Sequence, residues 1–162
     1  MYNYFKDEGV MHPLFIFTTD NADIYKVEFV PHDYGSVITK KLYTLSFFPV
    51  TRSFLKYDSK ISPTIVNIIS QFLSQDPENV LWYMCSPEDY NPRSRHIVFN
   101  KWYKQFSETN TDYSRYDDAI TNYDNTETFY ISFIFNKNVF EEKYIEQEIY
   151  LTLTSIEEQK NQ

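Results

Sequence analysis

Six side chains able to do chemistry fall close together in this 162-residue sequence: Cys85, Glu88, Asp89, Arg93, Arg95 and His96. A thiol beside arginines and a helix N-terminus ionises more readily and becomes a better nucleophile. An arginine beside the exposed backbone N–H groups of a helix start makes an anion site. The group therefore admits two chemistries. Arg95, with Arg93, His96 and Asp89 around it, can clamp a phosphate-bearing ligand, and Cys85 can serve as a nucleophile.

The spacing weighs against the nucleophile. Cysteine phosphatases use C-x5-R in a tight loop whose amides all face the phosphate. Here Cys85 and Arg93 stand as C-x7-R, with Pro87 and Pro92 between or beside them and no glycine. Cys85, His96 and Asp89 match the residue types of a cysteine hydrolase triad, but residue types alone do not make one. The simpler reading is a buried structural cysteine at a strand end. For Arg95 it is an ion pair with Glu88 or Asp89 that locks the turn.

The elements that position these residues can be read from pattern. Residues 80–85 are an apolar run without alternation, as in a strand covered on both sides. Asn91 and Pro92 start a helix by cap and proline, and Phe99, Trp102 and Phe106 form its inward stripe. Four residues back along that stripe is Arg95, which places it at the helix start leaning towards the sheet.

Upstream, residues 1–13 read as a lead-in. Residues 14–19 and 24–30 read as a hairpin about the turn Asp20-Asn21-Ala22-Asp23, and 41–48 as a third strand ended by Pro49. The piece from 50 to 61 is irregular, with Phe54, Leu55 and Tyr57 as anchors. Ser62 and Pro63 then open a helix with Ile65, Ile68, Ile69 and Phe72 inward.

Residues 107–127 read as a polar loop excursion, and 128–135 as a strand. The last element, 139–158, reads as a helix with a capping box at Asn138 and Glu141, although 149–154 alternates like a strand. The expectation is one α+β domain over 1–162, in the order βββ-α-β-α-β-α. Its mostly antiparallel five-stranded sheet would carry about three helices on one face.

Composition narrows the function classes. The chain has 15 Tyr, 14 Phe and 2 Trp but only 2 Gly, Gly9 and Gly35, too few for a phosphate-cradling or dinucleotide loop. Tyrosine-rich edges suit half-buried recognition surfaces. A net charge of −8 disfavours nucleic acid. The basic residues are nonetheless clustered: Lys40, Lys41, Arg52, Lys56 and Lys60, then Arg93, Arg95, Lys101 and Lys104. One cysteine excludes an internal disulfide and any multi-cysteine metal site, and neither a metal nor a cofactor is expected. With no secretory leader pattern and no apolar run near the ~18 residues of a membrane span, a cytoplasmic location follows.

The succession DSKISPTIVNIISQFL, NVLWYMC, an acidic turn and RSRHIVFNKWY, over residues 58–106, resembles a family of small bacterial proteins of unknown function. The resemblance implies a bacterial cytoplasmic protein and no particular chemistry. The leading expectation is a non-enzymatic interaction domain that binds another protein or itself through an aromatic edge. The alternative is binding or hydrolysis of a phosphate-bearing anionic ligand at the 85–96 strand–turn–helix junction.

Overall fold

The computed structural model describes residues 1–31, 41–50, 58–85, 92–121, 128–148 and 150–151. Its strands are β1 (Tyr4–Asp7), β2 (Leu14–Thr18), β3 (Ile24–Pro31), β4 (Leu42–Pro49), β5 (Val80–Cys85), β6 (Tyr113–Thr121) and β7 (Thr128–Asn136). The helices are α1 (Ile61–Gln75), α2 (Pro92–Ser107) and α3, with residues 142–148, 150 and 151 helical.

The strands form one mixed sheet in the order β1-β2-β3-β4-β5-β7-β6. This corrects the five-stranded expectation. Each of the two additional strands pairs antiparallel with a neighbour: β1 with β2 and β6 with β7. β1 lies in the supposed lead-in and β6 in the supposed polar excursion. The chain order is thus ββββ-α-β-α-ββ-α.

Only β4 and β5 run parallel, because α1 carries the chain back across the sheet between them. Their ladder holds three pairs, Leu42–Val80, Tyr43–Leu81 and Thr44–Trp82, and then stops. Both strands continue, β4 to Pro49 held by β3 and β5 to Cys85 held by β7. The sheet is therefore two antiparallel halves joined at one short parallel seam, which opens towards the strand C-termini.

Alternation along each strand sends one set of side chains to α1 and α2. That core includes Phe15, Phe29, Leu45, Leu81 and Tyr83 of the sheet, Ile65, Ile68 and Phe72 of α1, and Phe99, Trp102 and Phe106 of α2. Phe29 stacks on Phe72 at 3.9 Å between ring centroids, and Phe47 meets Trp102 edge-on at 4.7 Å. The opposite face is also covered. Leu42, Val80, Trp82, Ile131, Phe133 and Phe135 pack with Ile145 of α3 in a second core. The helices thus lie on both faces, not one. A fully apolar β5 demands this, since an uncovered face would leave Val80 and Trp82 in water.

Helix starts also differ from expectation. α1 begins at Ile61 with Lys60 at its N-cap and no side-chain capping bond, while the Ser62 hydroxyl turns to Gln105 of α2. Asp58 tightens this start by accepting from the Lys60 N–H. α3 begins at residue 142 rather than at 139. Asn136, not Asn138, makes the preceding turn by accepting from the Asn138 N–H. The anchors expected at Phe54, Leu55 and Tyr57, and residues 149 and 152–158 of the expected last helix, lie outside the described residues.

Candidate functional site

β5 and α2 bring part of the expected constellation to the open end of the seam. Cys85 is the last residue of β5 and is 0 % exposed, in the core beneath α2. Arg93 is exposed in the first turn of α2, whereas Arg95 and His96 are half-buried. Asp89 and Glu88 lie outside the described residues, so the Arg95 ion pair expected from the sequence falls there too.

The first turn of α2 carries two arginines and no acid. Helix starts more often carry acids there, because the backbone dipoles place partial positive charge at that end. Here side chains and dipoles carry the same sign. The start of α1 differs. Asp58 serves it, and Lys60 is paired with Asp20 at 2.6 Å, which holds the Asp20 carboxyl below its ordinary range. Lys41 likewise pairs with Asp76 and Glu78. Of the two clusters of basic residues, the first is thus neutralised locally where it is described.

A polar cluster that sequence reasoning did not find lies beside Cys85, between α2 and the β5–β7–β6 half of the sheet. The register aligns Tyr83 of β5 with Ser132 of β7 and Asp117 of β6, so all three side chains leave the same face. Arg115, two positions before Asp117, joins them, with its side chain only 6 % exposed. Its Nε donates to Asp117 Oδ1 at 2.5 Å, and its Nη2 donates to Asn100 of α2. The guanidinium lies 5.8 Å from the Tyr83 ring centre and 5.3 Å from that of Tyr103. The Ser132 hydroxyl donates to the same carboxylate oxygen at 2.5 Å.

Two atoms of this cluster are buried without a hydrogen-bond partner: the Tyr83 hydroxyl and His96 Nδ1. Burial pushes the Tyr83 phenol up to about 12, against a smaller opposing pull from Arg115 and from the neighbouring Ser132 hydroxyl. Ser132 lies beside that phenol and donates its own hydroxyl to Asp117. Burial, and then the Arg115 charge, hold the His96 imidazole below its ordinary value. Its ring stacks on Tyr130 of β7 at 4.7 Å. The one sequence signal for this cluster was the alternation of Tyr113, Arg115, Asp117 and Ala119, which is strand-like in period but polar in type.

Architecture and site together define an α+β fold with a mixed sheet divided at one parallel seam, and with a polar cluster between α2 and the β5–β7–β6 half. The chain belongs to DUF6169, a family of unknown function, which matches residues 57–149. The match runs from just before α1 into α3, beyond the 58–106 stretch that carries the resemblance in sequence. No curated protein matches the chain. It is similar to a solved structure described as a "putative phosphinothricin N-acetyltransferase". That similarity is at 11% identity and a TM-score of 0.43, covering 77% of this chain and 68% of the other. No helix among the described residues is long and apolar enough to cross a membrane.

Proposed function

We propose that the chain binds a phosphate-bearing small molecule in the cleft where β4 and β5 part, with its anionic end at the first turn of α2. The observation that carries this reading is the end of the β4–β5 ladder at Thr44–Trp82 while both strands run on. In sheets with parallel strands, the crevice beyond their carboxyl ends, where neighbouring connections diverge, is the usual ligand site. The parted edges carry backbone N–H and C=O groups that are not paired across the cleft. An elongated ligand with amide or carbonyl groups would complete them. Phe47, Phe99 and Trp102 close the cleft from the helix side, which supplies an aromatic wall. The exposed Arg93 supplies positive charge at the start of α2, and the single cysteine suits a reducing, cytoplasmic compartment. Cys85, being fully buried, is assigned packing rather than attack.

Titration with inorganic pyrophosphate, followed by thermal unfolding and calorimetry, tests this. Saturable stabilisation is expected, about 2.7 kcal/mol at a hundredfold excess over Kd. Arg93→Ala, which alters an exposed side chain, should weaken it several-fold. The reading fails if the unaltered chain shows no saturable effect, or if Arg93→Ala together with Arg95→Ala leaves the affinity unchanged in a folded protein.

A second reading, a protein-interaction domain, has its own support at the other edge of the sheet. β1 is an edge strand with Phe5 61% exposed, and Met11 in the following turn is fully exposed. An unpaired edge beside apolar side chains favours strand addition by another chain or a second copy. Light scattering on the purified chain and on Phe5→Lys tests it: concentration-dependent association that Phe5→Lys abolishes supports this reading, and a monomer at all concentrations counts against self-association.

A further inference from the structure

The outer side of α2 carries charge that no neighbour answers. Its 16 residues include Arg93, Arg95, Lys101 and Lys104 and no acid. Arg93, Ile97, Lys101 and Lys104 recur at the three- and four-residue spacing that puts side chains on one helix face, and all four are exposed. Among the described residues Arg93, Lys101 and Lys104 make no ion pair, whereas Lys6, Lys41, Lys60, Arg115 and Lys143 each make one. Ile97, at 44% exposed, lies within this stripe. The chain as a whole is acidic, with a net charge of −8, so the stripe is a local reversal of sign.

The complement lies on the other side of the sheet. α3 packs on the second core and α2 on the first. Glu142, Glu146 and Tyr150 of α3 follow one another at four-residue spacing and are exposed. Lys143 beside them is taken by Glu141 at 2.5 Å, and Glu142 and Glu146 have no basic partner among the described residues. Asp118 of β6 joins these acids around the Tyr116 ring, whose phenol is raised by burial first and then by Glu146, Asp118 and Glu142. Tyr150, at 70% exposed, gives this surface an apolar ring as well. Within one chain the two surfaces face opposite sides of the sheet and cannot neutralise each other. Between two chains they can.

We propose that the basic face of α2 docks on the acidic face formed by α3 and β6 of a second copy, with Lys101 and Lys104 answering Glu142, Glu146 and Asp118, and Ile97 meeting Tyr150. The contact is head to tail, so a pair leaves one face of each kind free and assembly runs on to a ring or a filament. It depends neither on the β1 edge nor on the anion site at the α2 start.

Sedimentation velocity of the full chain over a range of concentrations tests this. Self-association is expected, and raising NaCl from about 0.05 M to about 0.5 M should dissolve it, because salt screens exposed charges. Lys101→Glu with Lys104→Glu, and separately Glu142→Lys with Glu146→Lys, should each weaken association roughly tenfold or more by setting like charges opposite each other. The first double variant keeps the acidic face and the second keeps the basic face, so mixing the two should restore association. Circular dichroism checks that both stay folded, and the salt response of the unaltered chain stands without them. The proposal is overturned by a monomer at all concentrations, by association that survives salt or both reversals, or by a mixture of folded variants that stays monomeric. Association lost in Phe5→Lys but kept in both charge variants would belong to the β1 edge and overturn it equally. Arg93 is left unaltered throughout, so pyrophosphate binding can fail without touching any of these outcomes.

Discussion

Phe99 of α2 lies flat on Tyr83 of β5, with 3.9 Å between ring centres and 15° between planes. This stack fixes the height of α2 over the sheet and so places His96, three residues before Phe99, over β7 and Asn100, one residue after it, beside β6. Phe99 also meets Phe47 and Trp102 edge-on, which ties the two halves of the sheet together across the open seam. Removing it leaves a cavity that none of three rigid aromatic neighbours can fill. Phe99→Ala should cost about 3–5 kcal/mol in urea unfolding, whereas Phe99→Leu should cost clearly less. Equal losses would mean that the ring contacts, rather than the volume, hold α2.

Arg115 and Asp117 form the pair that lets β6 lie beside β7 with a charge facing the helix. Truncating Arg115 leaves Asp117 half in water, so Asp117 can rehydrate. Truncating Asp117 strands a guanidinium that is 6% exposed. The two variants should therefore differ in cost. Asp117→Ala should destabilise by roughly 2–4 kcal/mol and Arg115→Met by less, because methionine retains the packing without the charge. A double-mutant cycle with coupling near zero would show that the pair contributes nothing to stability.

Five strands were legible in the sequence because their apolar residues alternate or run unbroken between turn formers, as at Tyr25–Val27–Phe29 and along β5. β1 and β6 were not. β1 pairs on one side only and shows the helices a single ring, Tyr4, while Phe5 faces out, so four residues carry no clear period. β6 hides its inward face, because Arg115 and Asp117 neutralise each other and the pattern reads as solvated loop. The two-sided burial of β5 was visible in its lack of alternation. It already required a helix on each face, a consequence at odds with a one-sided arrangement. Of the candidate site, the position of Arg95 and His96 early in α2 was legible from the Asn91–Pro92 start, but the packing of His96 on Tyr130 of β7 was not. The neighbours of His96 and Tyr83 on β6 and β7 were not either, since those strands are distant in the chain and meet β5 through a register that only the folded sheet defines.

His96 should make stability fall on mild acidification. Its pKa is lowered in the folded chain from an ordinary 6.5, so below that value the unfolded state binds more protons and stability declines as pH falls towards the folded pKa. Asp20 and Asp76 are also lowered, from 3.8, so their contribution is lost only in stronger acid. Thermal midpoints measured at pH 7.5 and 5.5 should thus drop for the unaltered chain, and drop less for His96→Gln. An identical pH response in the two proteins would show that the imidazole charges as freely when folded as when unfolded.

Cys85 tests the division between packing and chemistry. It aligns with Tyr130 of β7, is 0% exposed and contributes to the core under α2. A thiol with no solvent contact can be alkylated only when the chain opens. Iodoacetamide at pH 7.5 should therefore label Cys85 slowly in the folded protein and rapidly in denaturant, with a rate in between that tracks global stability. Cys85→Ala should cost stability through the packing volume it removes. The variant should bind pyrophosphate as the unaltered chain does. Rapid labelling of the folded protein, or loss of binding in Cys85→Ala, would instead return the thiol to the site and make the parted strands a place of reaction as well as of binding.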